Sequence, residues 1–103
     1  MQSQSQPPFG KNVSWAYNRN SIEKKEEHME SFDDIESMTI ERIYKSYVDS
    51  KGDILFQIVV LGKYSVDLKD RIKFSSSDPD NPKKQHLVIR GHSHQRRRAG
   101  LLK

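Results

Sequence analysis

Three histidines fall close together late in the sequence: His86, His92 and His94. A His-x-His pair can chelate a metal ion, but a stable site needs further ligands. No Asp, Glu or Cys lies at ligand spacing beside them, so they read as solvated histidines. The arginine run Arg96-Arg97-Arg98, supported by Lys83, Lys84, Arg90 and Lys103, is the strongest polyanion feature. Such a cluster contacts DNA or RNA phosphates without sequence preference, through release of condensed counterions. It equally suits a localisation signal or a soluble tail. No aromatics are interleaved with it to stack on bases. Ser50 and Ser77 sit near acids, but in turn-like stretches where Ser and Asp are ordinary. They suggest no Ser-His-Asp arrangement. Asp67 and Asp70 read as an exposed pair with no sign of acid–base chemistry. Gly52 and Gly62 are isolated and form no phosphate-binding loop. No catalytic residue, metal site or cofactor is expected.

The elements that would position these groups follow from composition and periodicity. The chain has 103 residues, of which 33% are apolar and 31% charged, enough for one domain with a thin core. It has no cysteine, so disulfides and thiol chemistry are excluded. The longest apolar run, residues 58 to 61, is too short to cross a bilayer. The first nine residues lack the basic start and apolar middle of a signal peptide. Charge is uneven along the chain. Residues 1 to 38 hold four Lys/Arg against seven Asp/Glu, and residues 75 to 103 hold seven against two.

Residues 1 to 20, rich in Gln, Ser, Pro and Asn, are expected to be a disordered arm. Trp15 and Tyr17 then read as an incidental cluster within it, or as a docking motif. Ser21 is a candidate N-cap, with Met29, Phe32 and Ile35 spaced for one face of a helix. Ile40, Ile43, Tyr44, Tyr47 and Val48 are β-branched or aromatic and favour a strand, with a bulge near Arg42. The segment 49 to 53 reads as a turn in which Gly52 takes positive φ. Residues 54 to 61 are the strongest strand, apolar on both faces, so that one face awaits a helix or a partner. Gly62-Lys63 makes the next turn, and residues 64 to 68 a third strand. Ile72 and Phe74 close or cap the sheet, and residues 86 to 89 are the last apolar run able to dock.

The strings Thr39-Ile40-Glu41-Arg42-Ile43 and Val48-Asp49-Ser50-Lys51-Gly52-Asp53-Ile54-Leu55-Phe56 resemble the opening of the chromodomain superfamily. Ser31-Phe32-Asp33-Asp34-Ile35 and Val66-Asp67-Leu68 look like segments of chromo shadow domains of the heterochromatin protein one family. The resemblance covers residues 31 to 72. It implies an α+β fold: a small three-stranded antiparallel twisted sheet, chromodomain-like or SH3-like, with one or two packed helices and disordered termini. The domain would occupy residues 21 to 90, followed by a basic tail over 91 to 103. Methyl-lysine reading is not expected, because the positions matching the aromatic cage fall near Met38, Val60 and Lys63. The implied function is a nuclear, chromatin-associated adaptor that dimerises or docks a partner strand. Ile58, Val60, Leu61, Val88 and Ile89 are the expected partner-binding residues, and Arg96, Arg97 and Arg98 the expected phosphate contacts. The expected partner is a protein or a second copy, with nonspecific nucleic acid on the tail, and neither a membrane nor a small-molecule substrate. The alternative is a small basic nucleic-acid-binding protein built on a β-barrel-like scaffold.

Overall fold

A computed structural model describes residues 13 to 91. Strand β1 (Ser14–Asn18) leads through a ten-residue connection into β2 (Met29–Ser31). One helix, α1 (Asp34–Asp49), follows, and then a 3-10 turn, η1 (Ile54–Phe56). Strands β3 (Ile58–Val60), β4 (Tyr64–Asp67) and β5 (Ile72–Ser75) form a meander. A second 3-10 turn, η2 (Pro82–Lys84), precedes β6 (His86–Gly91). The strands make one antiparallel six-stranded sheet in the order β2-β1-β6-β5-β4-β3.

The fold is α+β, but among the described residues the expected three-stranded sheet with one or two helices is replaced by six strands and a single helix. The largest correction is the helix itself. Residues 39 to 48 were expected as a strand on β propensity, yet they lie within α1. Ile40, Ile43, Tyr44 and Tyr47 recur at intervals of three and four, which places them on one helical face. That periodicity, and the core it meets, outweigh the small intrinsic penalty for β-branched and aromatic residues in a helix. Asp33 caps the N-terminus by accepting from the Glu36 amide at 2.8 Å. Asp34 and Glu36 place negative charge in the first turn, where the helix dipole favours it. The chain leaves α1 through Lys51 (φ 61°) and Gly52 (φ 89°), with the Gly52 amide donating back to the Tyr47 carbonyl at 2.8 Å. The stretch that resembles the first chromodomain strand is therefore helical.

The second correction concerns the ends of the domain. Residues 14 to 18, expected in a disordered arm, form a strand bonded to β2 on one side and β6 on the other. The anticipated helix from Ser21 is absent among the described residues, and β2 stands in its place. The strongest expected strand is split. Ile54, Leu55 and Phe56 turn in η1, where the Asp53 carboxylate accepts from the Leu55 amide, and only three residues remain extended in β3.

Strand registers divide the side chains between two faces. Trp15, Tyr17, Val59, Tyr64, Val66, Lys73, His86, Val88 and Arg90 share the inner face, by pairings such as Trp15 with Arg90 and Lys73 with His86. Helix α1 covers part of it, burying Trp15, Phe32, Ile40, Val59, Val66, Leu68 and Val88 together. At its centre the Trp15 indole donates to Glu41 at 2.9 Å, and Arg90 closes a two-pronged ion pair on the same carboxylate at 2.9 and 2.7 Å. Arg71 and Arg90 both stack on Tyr44, at 5.4 and 4.8 Å from its ring centre.

Candidate functional site

The helix leaves one end of the inner face open. There, a cleft of about 180 Å³ is lined by Lys63, Tyr64, Lys73, Ser75, Lys84 and His86. Each comes from a different local device. Gly62 (φ 96°) permits the tight turn that carries Lys63 over the strands. Tyr64 and Ser75 are cross-strand partners, as are Lys73 and His86. Asn81 caps η2 by accepting from the Lys83 amide at 3.0 Å, and η2 brings Lys84 to the rim.

Lys73 organises the site. Its strand neighbours Ile72 and Phe74 point to the opposite face, so the alternation puts a cation on the inner one. Its ammonium lies 3.8 Å from the ring centre of Tyr17 and 4.0 Å from that of Tyr64, with Phe32 at 6.0 Å. These rings attract the charge through their quadrupoles. Burial nevertheless holds the Lys73 pKa below the usual lysine range, against the opposing pull of Glu36 and Glu30. Among the described residues Lys73 makes no ion pair. Glu36 is engaged elsewhere: it accepts the Tyr64 hydroxyl at 2.7 Å, and this bond, with burial, pushes the Tyr64 pKa up to about 12. Tyr17 is also raised, by burial and then by Glu30. Both phenols therefore stay neutral and present ring faces at neutral pH.

His86 forms the floor beside Lys73. Its Nδ1 lies 3.0 Å from the Asn18 carbonyl and 3.2 Å from that of Asn20. Both are acceptors only, so Nδ1 carries a proton. The Tyr17 ring stands edge-on to the imidazole at 6.5 Å.

A larger cleft, about 270 Å³, opens on the outer face between Asp67, Asp70, Ile72, Pro79 and Asp80. Asp67 is occupied there in holding its own turn, accepting from the Lys69 and Asp70 amides.

The residues expected from sequence are scattered. Ile58, Val60 and Ile89 lie on the outer face, 41%, 68% and 49% exposed. Leu61 is half-buried against the core. Val88 is a core residue, 3% exposed, and so is corrected from a partner contact to a packing one. It faces inward because Arg90 and His86, two residues either side of it, do so too. Arg96, Arg97 and Arg98, with His92 and His94, lie outside the described residues. Sequence reasoning missed Tyr17, Lys73, Tyr64 and the role of His86. The available signal was the lone lysine between Ile72 and Phe74, which marks a strand whose inner position is charged.

Comparison of the chain with protein-family models, with characterised proteins and with solved structures finds no match.

Proposed function

We propose that this domain binds a phosphate-linked nucleotide in the inner-face cleft, either a dinucleotide or a strand of nucleic acid. The observation that carries this reading is Lys73, a half-buried ammonium between two tyrosine rings that makes no direct ion pair among the described residues, with Glu36 and Glu30 acting on it only at longer range. A cation held there without a bonded anion is preorganised for one, because the fold has already met much of its desolvation cost. Lys63 and Lys84 add charge at the rim, and Tyr64 supplies aromatic surface for a base or ribose. The chemistry is recognition, with phosphate held by charge-assisted hydrogen bonds.

Amide shifts in isotope-labelled protein, titrated with diadenosine pyrophosphate and separately with a six-residue oligothymidylate lacking terminal phosphates, locate the site and distinguish the two ligand forms. Shifts should concentrate at Lys63, Tyr64, Lys73, Ser75 and His86. Lys73→Ala should weaken binding of the preferred probe about 10- to 100-fold, the range expected for one hydrogen bond to a charged group. Shifts confined to the outer face, or an unchanged affinity for Lys73→Ala, would sink the reading.

A second reading, the protein-docking adaptor implied by the chromo shadow resemblance, draws on the outer face. Ile58, Val60, Leu87 and Ile89 stand 41 to 68% exposed on a sheet face that the helix does not cover. Among the described residues, strand β3 also ends the sheet with an unpaired edge. Because Val60 is 68% exposed, Val60→Asp should shift stability by no more than about 0.5 kcal/mol. If this face self-associates, the same change abolishes the concentration-dependent rise in sedimentation coefficient. A wild-type protein that remains monomeric up to millimolar concentration and docks no peptide strand contradicts the adaptor.

A further inference from the structure

We infer that His86 is the proton-linked contact of the cleft: the ligand's phosphate is held by Nε2–H of a His86 imidazolium, so binding takes up a proton. This rests on the nucleotide reading above and names the regulation of the same site. The argument begins with the other ring nitrogen. Nδ1 faces two backbone carbonyls, those of Asn18 and Asn20, at 3.0 and 3.2 Å. A carbonyl cannot donate, so Nδ1–H is fixed in either charge state. The neutral ring therefore has its lone pair on Nε2, and protonation can occur only there. None of the described residues hydrogen-bonds to Nε2. His86 lines the cleft, so Nε2 is the nitrogen left for a ligand.

The surrounding charges set the direction. Lys73 on β5 is the cross-strand partner of His86. Lys63 on the β3–β4 turn and Lys84 on η2 share its cleft. Tyr17 on β1 packs on its edge and stays neutral. Glu30 of β2 and Glu36 of α1 act on Lys73, and Arg19 acts on Tyr17. Of these lysines, Lys84 is paired with Asp78 at 3.7 Å, which leaves Lys63 and Lys73 as the cations of the cleft that make no ion pair among the described residues. A bound phosphate reverses the local field. Its negative oxygens favour the charged ring, and Nε2 becomes a charge-assisted donor. The balance is simple: imidazole takes one proton from solvent, and no covalent bond to the ligand forms or breaks. Because binding takes up a proton, affinity falls as pH rises.

Calorimetric titration of the full chain tests this with diadenosine pyrophosphate and the same oligothymidylate, whose phosphates do not titrate between pH 6 and 8. Titrations run at pH 7 in two buffers of different ionisation enthalpy, for wild type and for His86→Gln, with circular dichroism verifying the fold. The glutamine amide keeps a donor but cannot be protonated. For wild type, the apparent enthalpy should depend on the buffer with a slope approaching one proton taken up, and affinity should fall about tenfold between pH 6 and pH 8. For His86→Gln, the buffer dependence and most of the pH dependence should vanish while binding persists. Wild-type binding with no buffer dependence, or an equal pH dependence in the variant, overturns the proton linkage and leaves the nucleotide reading standing. A wild type that binds neither probe at any pH removes the nucleotide reading, and this inference with it.

Discussion

Trp15→Ala should lower the stability of the domain by about 3 to 5 kcal/mol, the range found when a buried aromatic is removed from a packed core. The expectation follows from the position of one residue in three structures at once. Trp15 is fully buried, the second residue of β1, paired with Arg90 of β6 on one side and accepting from the Phe32 amide at 2.9 Å on the other. Its ring meets Tyr44 of α1 edge-on at 5.3 Å, its indole donates to Glu41, and its backbone amide donates to the Ser37 hydroxyl at 3.0 Å. Truncation leaves a cavity under the helix and takes from Glu41 Oε1 one of its two donors, with Arg90 Nε remaining as the other. Small domains hold only about 5 to 15 kcal/mol in all, so most of the stability would go. A urea titration reads this as a fall of at least about 1 M in the midpoint. Unchanged unfolding would mean that β1 does not belong to the core. Trp15→Phe separates the causes, since it keeps most of the packing and loses only the indole hydrogen bond.

The same residue shows where the sequence was legible and where it was not. Trp15 and Tyr17 alternate with Ala16, a two-residue period, but they sit in a polar stretch with too few apolar neighbours to declare a strand. What makes that strand is β6, whose pairing joins Ser14 to Gly91 across nearly the whole domain. Such non-local pairing leaves no mark in a local window. Turns were legible because they depend on one residue's backbone: Gly52 and Gly62 both take positive φ in the turns expected of them. Strand β4 was legible for a similar reason, since its alternation is short and bounded by a turn. Residues 39 to 48 carry two opposed signals, propensity and spacing. The β-branched types pointed to a strand, while the intervals between Ile40, Ile43, Tyr44 and Tyr47 pointed to a helix. The cleft was hidden by the strand reading. With α1 taken as a strand, there was no helix end to leave the inner face open, and Lys73 had no reason to be special.

Glu41→Ala should cost a further stability loss of about 3 to 5 kcal/mol, through a different mechanism. Glu41 is 2% exposed, and its carboxylate is the only anion paired with Arg90 among the described residues. Removing it strands the half-buried guanidinium and leaves the Trp15 indole N–H without its acceptor. The penalty comes from these uncompensated groups, not from the net worth of the pair. Replacing both partners, as Glu41→Leu with Arg90→Met, should therefore recover much of the loss, although the Trp15 donor remains unmet. A double variant no more stable than Glu41→Ala alone would show that the ion pair itself contributes the stability. The pH dependence gives an independent check. Burial on its own would push the Glu41 carboxyl up, but hydrogen bonds from Arg90 and Trp15 outweigh it and hold the carboxyl below its ordinary value. A carboxyl depressed in the folded state contributes stability that is complete above the unfolded value, about 4.3. That contribution disappears as pH falls through the folded value. Wild type should thus lose stability steadily on acidification below about pH 4.3, and the Glu41→Leu, Arg90→Met variant should lose distinctly less over the same interval. Arg90 is raised at the same time, chiefly by its bond to Glu41, so it stays charged and the difference between the two acid limbs reports on the Glu41 carboxylate. The network that locks β1 and β6 under α1 is therefore acid-sensitive through Glu41, whereas the proposed ligand contacts are Lys73 and His86. Unfolding measured at pH 3 to 5 and ligand binding measured at pH 6 to 8 should consequently respond to separate sets of substitutions.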